Sequence, residues 1–442
     1  MTETVLLVGG GGREHAIAHA LDRSEERDEF EFYACAGNRN PGIAALTDGF
    51  ETLDSSDTDA VVEYAESVGA TLAVIGPEKP LAEGVVDALE DAGIYAFGPR
   101  QADARIETDK SFQREFMEAE GIPGCPDYAI FTDMELACEY IDEYDGDLAV
   151  KPAGLTGGKG VRVTGDQITK AEAKEYLRGS DYEKVVLEER LVGEEFTVQA
   201  LVAGDDVLIT PAVQDHKRAY EGDEGPNTGG MGSYTDAGFQ LPFMTELHSF
   251  EALQILEATV DALEDYRGVL YGQFMLTEDG VKVVEFNARF GDPEAMNVLP
   301  ILNTDFYEVL VGARDGGSRI PELDFQSRAT VCKYAVPDGY PTEPQAGTRI
   351  EVDEESAAAA AADHDGDAFL FYASVDERDD GLYTTTSRSF AVVGVADTIA
   401  EAEAIAEDAL AVAGEDGFHV RHDIGTEELV QSRIDHVEQL TE

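Results

Sequence analysis

The stretch VKVVEFNARFGDPE, residues 281–294, spaces Glu285, Asn287 and Arg289 two apart. On a strand, where side chains alternate between faces, that spacing puts all three on one side and Val284 and Phe286 on the other. A carboxylate and an amide oxygen held side by side suit a hard cation such as Mg²⁺, which takes few protein oxygens and completes its shell with phosphate. Arg289 extends the same face and can balance a transferring phosphoryl group or a substrate carboxylate. A purely structural role is the weaker reading, because buried acidic and amide groups are costly without partners.

Other stretches carry compatible chemistry. QDHKRAYEGDEGPNTGGMGSY, residues 214–234, gathers Asp215, His216, Lys217 and Arg218 before a loop so rich in glycine that close backbone approach to a ligand explains it. His216 there is either a general base or a satisfied structural histidine. VKPAGLTGGKGV, residues 150–161, fails as a P-loop: Ala153 stands where the first glycine belongs, and Gly160 follows Lys159 where a hydroxyl is needed. It reads instead as a glycine hairpin folding over phosphates, with Lys151 reaching in as a point charge. VVLEERLVGEEFTV places Glu188 seven residues before Glu195 across a turn at Val192-Gly193. Either backbone near Leu191 edges an adenine while Glu195 accepts from ribose hydroxyls, or this is a surface hairpin. The chain has only ten lysines against twenty-one arginines. Lys110, Lys151, Lys159 and Lys217, each in a glycine-rich or apolar context, therefore stand out as site candidates.

The elements that must position these groups follow from periodicity. Residues 1–100 alternate strand and helix, predicting a doubly wound parallel sheet with its loops at the carboxyl edge. VLLVGGGGREH near the start is a strand, a glycine turn and a helix start, the makings of an anion site. As a dinucleotide fingerprint it is incomplete, since His15 replaces the third glycine and the strand ending Ala34-Cys35-Ala36-Gly37 carries no ribose carboxylate. Residues 101–324 switch to short strands with tight turns, predicting antiparallel sheet, including a hairpin closed by Glu278-Asp279-Gly280. Residues 325–442 read as a smaller α+β domain ending in alanine-rich helix. The run 357–362 reads as plain helix.

Composition limits the function classes. Against 31 basic residues stand 92 acidic ones, a net charge of −61, spread among periodic segments that hold 20 Phe and 17 Tyr. That describes a folded, uniformly acidic surface, as in a halophile's cytoplasm, where salt screens self-repulsion. No basic stripe offers itself to nucleic acid. Four scattered cysteines without C-x-x-C read as reduced thiols, and the absence of a leader or a long apolar run gives a cytoplasmic expectation with no membrane partner.

Taken in order, GGREHA, GPEKPLAEGVVD, FGP, GLTGGKGV, LEERLVGEE, QDHKR, GPNTGGMG, EFNARFGDPE and RHDIG resemble the phosphoribosylamine–glycine ligases, ATP-grasp enzymes of purine biosynthesis, over nearly the whole chain. The resemblance implies an amino-terminal Rossmann-like domain, an ATP-grasp core, and a reaction joining glycine to 5-phosphoribosylamine through glycyl phosphate. It implies Lys110, Lys151, Gly157, Gly158, Lys159, Glu188, Leu191 and Glu195 at ATP, and Glu285 with Asn287 at Mg²⁺ or Mn²⁺. Gly11, Gly12, Arg13, Glu14, Asn38, Glu78, Asp215, Gly230 and Arg289 would meet the substrates, with Arg289, Asp215 and Lys151 catalytic. The expected assembly is a monomer or weak homodimer. Three departures from the family pattern stand out: Pro152-Ala153 in place of Ala-Asp after Lys151, a longer loop before Pro41-Gly42, and Thr108-Asp109 before Lys110.

Overall fold

The computed structural model describes residues 3–155, 160–204, 206–315, 320–415 and 417–441. Strands β1 (Glu3–Val8), β2 (Phe30–Ala36), β3 (Gly49–Thr52), β4 (Leu72–Ile75) and β5 (Tyr95–Phe97) form a parallel sheet in the order β3-β2-β1-β4-β5. β1 is apolar at successive positions because both faces are covered: Leu6 and Val8 enter one core, Val5 and Leu7 another. The chain reverses its direction of travel across the sheet between β1 and β4. The switch point beyond the carboxyl ends of those two strands is where open α/β sheets bind ligands.

The next sheet is antiparallel, in the order β6-β9-β7-β8, from β6 (Tyr128–Phe131), β7 (Leu148–Pro152), β8 (Arg162–Val163) and β9 (Val185–Glu189). Helices Met134–Glu143 and Lys170–Arg178 give it a separate small core around Cys138, Ile141, Val150 and Leu177. Residues 190–193 then cross to a second antiparallel sheet, which begins with β10 (Glu194–Ala203) and β11 (Asp206–Ile209). Short strands β12 (Gln214–Asp215), β13 (Arg218–Tyr220), β14 (Glu224–Asn227) and β15 (Gly232–Thr235) precede the long hairpin β16 (Gly268–Thr277) and β17 (Gly280–Asn287), and the second sheet runs β11-β10-β16-β17. β9 and β10 therefore enter two different sheets joined at residues 190–193, so the surface-hairpin alternative does not hold.

A third large sheet joins β12 and β15 to strands beyond residue 324. Its core is β18 (Ala329–Pro337), which pairs with β15 on one side. β19 (Arg349–Ile350), β20 (Asp367–Tyr372), β21 (Val375–Arg378), β22 (Gly381–Thr384) and β23 (Phe390–Ala396) follow, and the sheet order is β12-β15-β18-β23-β20. The carboxy-terminal segment thus shares a sheet with β15, the strand that continues from the glycine-rich loop. The alanine run is helical only through Ala359 and tightens to a 3₁₀ turn over Ala360–Asp363. Cys35, Cys138 and Cys332 are buried, Cys125 is half-buried, and all four are free thiols. No helix among the described residues is long and apolar enough to cross a membrane.

Candidate active site

The hairpin β16–β17 builds one wall. Gln273 pairs with Glu285 and Phe274 with Val283, so Val284 is an extra residue, a β-bulge. The bulge resets the alternation. Val283 and Phe286 both enter the core, and Glu285 and Asn287 keep the opposite face together. The Val284 carbonyl accepts from Lys151 Nζ at 3.0 Å and from Arg114 Nη2 at 2.7 Å.

Lys151 projects from β7 across the hinge between the sheets. Its ammonium lies 2.7 Å from Glu188 Oε2, and Arg114 grips the same carboxylate with two bonds of 2.9 Å. All three side chains are buried. Burial pulls the Glu188 carboxyl upward, but Arg114 and Lys151 together hold it below its ordinary value. The Lys151 ammonium is lowered, by burial first, with Glu188 opposing. Beside it, Lys217 donates to Gln273 Oε1 at 2.5 Å, and Gln273 donates to Glu195 Oε2 at 2.5 Å. Glu285, 3.8 Å from Lys217, is desolvated, yet Lys217, Lys110, Lys151 and Arg289 hold its pKa down at about 2. The carboxylate is therefore charged throughout the working range. Lys110 opens helix Lys110–Glu120, capped by Asp109, and its backbone N–H is fixed by the Ala153 carbonyl at 2.8 Å.

The second half lies where the end of β17 meets the switch point beyond β1 and β4. Arg289 Nη2 is 2.9 Å from Glu107, and its Nε is buried with no hydrogen-bond partner among the described residues. Arg13 bonds Glu14 Oε1 at 2.6 Å and the Phe290 carbonyl at 2.9 Å, with Glu78 3.8 Å away. Burial raises the Glu78 carboxyl, but Arg289 and Arg13 outweigh it and hold it below its ordinary value. Arg388 binds Asp292 at 3.0 Å and the carbonyls of Gly229 and Gly230 at 2.7 and 3.0 Å. Gly230, at φ +109°, has no room for a β-carbon, which would stand 2.7 Å from Asp215 Oδ1 and 2.6 Å from Pro293. That Asp215 oxygen is buried without a hydrogen-bond partner among the described residues. Burial, then the Glu294 charge, push its carboxyl well above its ordinary value.

Glu188, Leu191, Glu195, Asp215, Lys217 and Glu285 thus share one cavity of about 430 Å³ with Lys151. Arg13, Glu78 and Arg289 continue from it toward the parallel sheet. Gly157, Gly158 and Lys159 lie outside the described residues. Glu188, expected at ATP, lines the cavity with its carboxylate already held by Arg114 and Lys151. Glu14 is sealed inside the turn, its carboxylate accepting from Gly11 N–H at 2.6 Å, and Gly12 is buried against the Tyr334 hydroxyl. Both shape the turn from inside. Asn38 donates to the Val375 carbonyl across to the carboxy-terminal segment. The buried Asn40 caps helix Pro41–Leu46 and donates to the Gly10 carbonyl at 3.0 Å. His216 is buried with neither ring nitrogen hydrogen-bonded among the described residues, and burial lowers its pKa to about 3, so it is neutral.

Sequence reasoning missed Arg114, Glu107, Arg388 and Glu294. Arg114 had a signal: it lies four residues after Lys110, on the same helix face. Arg388 had none, since it reaches the site only through sheet pairing distant in sequence. Among the described residues no three His, Cys, Asp or Glu side chains cluster as a metal site. Glu285 and Asn287 fit the other pattern, two protein oxygens with the remaining positions left to phosphate and water.

Comparison with known proteins agrees along the chain. Residues 3–107, 108–295 and 330–427 match the family models described as the phosphoribosylglycinamide synthetase N domain, ATP-grasp (A) domain and C domain. The chain is 52% identical to the phosphoribosylamine–glycine ligase of Methanococcoides burtonii and 50% identical to that of Methanosarcina barkeri, each over 99% of both chains. A crystal structure of the phosphoribosylamine–glycine ligase of Thermotoga maritima superposes with a TM-score of 0.77 at 26% identity, covering 95% of this chain and 99% of that one. Helix Glu427–Thr441 extends past the last matched residue.

Proposed function

The chain belongs to the phosphoribosylglycinamide synthetase family, and from that premise we propose how its residues divide the work of its reaction. It is a phosphoribosylamine–glycine ligase, joining glycine to 5-phosphoribosylamine with ATP to give glycinamide ribonucleotide, ADP and phosphate.

Glycine's carboxylate is a poor acyl donor, so its oxygen first attacks the γ-phosphorus of ATP, the bond to ADP breaks, and glycyl phosphate forms. The 5-phosphoribosylamine nitrogen then attacks the acyl carbon, phosphate leaves, and the nitrogen gives up a proton. The observation that carries this reading is the convergence of Lys151, Lys217 and Glu285 in one cavity bordering the hinge at residues 190–193. The hinge backbone near Leu191 edges the adenine and Glu195 takes the ribose hydroxyls. Lys110 and Lys151 meet the phosphates, spreading the charge of the transferring group. Glu285 and Asn287 would hold Mg²⁺ or Mn²⁺, which when bound neutralises phosphate oxygens. Arg289, whose Nε has no hydrogen-bond partner among the described residues, receives the glycine carboxylate, and Arg13 with Glu78 borders the phosphoribosylamine site. Asp215, kept basic by burial and Glu294 beside the Gly230 turn, accepts the proton lost by the attacking amine.

The division at residues 100 and 324, a monomeric or weakly dimeric state, and life in a salty cytoplasm belong to the same reading; the −61 net charge supports the last. A coupled assay for ADP release tests the whole. Sustained release must require glycine and phosphoribosylamine together, glycine alone giving at most about one ADP per site from the first step, and sustained release with either alone would overturn the assignment.

A further inference from the structure

The helix Glu427–Thr441 runs past residue 427, where the match to the C-domain model ends, and it returns to the cavity. Arg433 and His436, one turn apart on its surface, both line it. His436 Nδ1 lies 2.5 Å from Glu194 Oε1, and Arg433 Nε lies 3.6 Å from Glu194 Oε2. Arg433 Nη2 also bonds Asp223 Oδ2, while the buried Arg421 bonds Asp223 Oδ1 at 2.7 Å. Glu194 is 4% exposed, and its second oxygen accepts from Gln214 Nε2 at 3.0 Å.

Glu194 is the first residue of β10, directly after the hinge. Gly193 before it sits at φ +159°, where a β-carbon would lie 1.9 Å from the Leu276 carbonyl. The hinge end is thus clamped on one side by β16 and on the other by the tail helix. Charge supplies a second, independent argument. Acidic side chains outnumber basic ones around the cavity, and a nucleotide is a polyanion, so each cation in the wall counts. Arg433 is one of them, and it comes from the tail. His216, buried with neither ring nitrogen hydrogen-bonded among the described residues, lines the same cavity.

We propose that helix Glu427–Thr441 is part of the nucleotide site, with Arg433 and His436 as positioning residues. By holding Glu194 and Asp223 they fix the hinge against which the base and ribose rest. The proposal rests on the nucleotide reading of this cavity.

Steady-state kinetics on Arg433→Met, His436→Leu and His436→Asn, varying each substrate in turn, test it. Asn offers a donor where Nδ1 stood. In Arg433→Met and His436→Leu the KM for ATP should rise about fivefold to tenfold, as expected for losing bonds to a buried carboxylate. Turnover should stay within about twofold, KM for glycine and phosphoribosylamine should not move, and His436→Asn should recover most of the ATP affinity. ADP affinity by titration calorimetry provides a readout independent of turnover. A lowered melting temperature with unchanged KM for ATP and unchanged ADP affinity would overturn the proposal, leaving the helix a structural brace. Lys151→Met separates the underlying reading: unchanged ADP affinity there overturns the nucleotide assignment itself. Weakened ADP binding in Lys151→Met but not in Arg433→Met overturns only the role of the tail.

Discussion

Arg114→Met removes the guanidinium from beneath the site while keeping most of the side chain's apolar bulk. Five bonds go with it: two to Glu188 at 2.9 Å, those to the Val283 and Val284 carbonyls at 3.1 and 2.7 Å, and a weak one to Met117 Sδ at 3.3 Å. Arg114 is 1% exposed and Glu188 3%, so solvent cannot replace what is lost. Removing one partner of a buried ion pair costs about 3–5 kcal/mol. At about 2–4 °C per kcal/mol for a domain of this size, melting should fall by roughly 6–20 °C. Function should suffer separately. Glu188 then has only Lys151 as a cation, and the lysine is drawn back from the phosphates, so KM for ATP should rise while KM for glycine stays put. Arg114→Lys, which keeps the charge but loses the fork, should fall between. Calorimetric melting and ATP-dependent kinetics on the three proteins provide the check. Wild-type melting and wild-type KM for ATP in Arg114→Met would refute the claim that this buried pair organises Lys151.

Glu285→Gln and Asn287→Leu should each remove most ligase activity with circular dichroism unchanged; near-normal turnover at saturating Mg²⁺ in either variant contradicts the metal assignment. Acid should destabilise the protein well above the carboxylate range. Burial lowers the pKa of both His15 and His216 from 6.5 to about 3. The unfolded chain therefore takes up protons below pH 6.5 that the folded one refuses, and stability is lost as pH falls from 6.5 toward 3. Each histidine contributes about 1.4 kcal/mol per pH unit inside that window, and a flat denaturant midpoint between pH 6.5 and 5 would count against their burial as neutral groups. With a net charge of −61, activity and melting temperature should rise together from dilute buffer to molar KCl, as the screening length falls from about 10 Å at 0.1 M to about 3 Å at 1 M; falling stability over that range would exclude the halophilic reading.

The parallel amino-terminal sheet was legible because its strands are apolar on both faces and separated by regular helices. The β16–β17 hairpin was legible from its turn, and Glu285 with Asn287 from the period of two. The Val284 bulge was not, because whether a residue is extra depends on the partner strand. The hinge at residues 190–193 left two readings open for a related reason: local sequence shows strand, turn, strand, and only long-range pairing tells that β9 and β10 enter different sheets. Glu188 was placed by its neighbourhood in sequence, yet its role is set by Arg114, a residue 74 positions away. Charge pairs buried between elements leave little trace in a single sequence, since each partner satisfies its own local pattern.

In the proposed mechanism glycine's carboxylate is activated by phosphoryl transfer from ATP before the amide forms. Glycine labelled with ¹⁸O in both carboxylate oxygens tests it directly, with mass analysis of the phosphate released in the complete reaction. Attack of a carboxylate oxygen on the γ-phosphorus predicts one ¹⁸O in each phosphate formed and one retained in the amide. Unlabelled phosphate alongside full formation of product would contradict it.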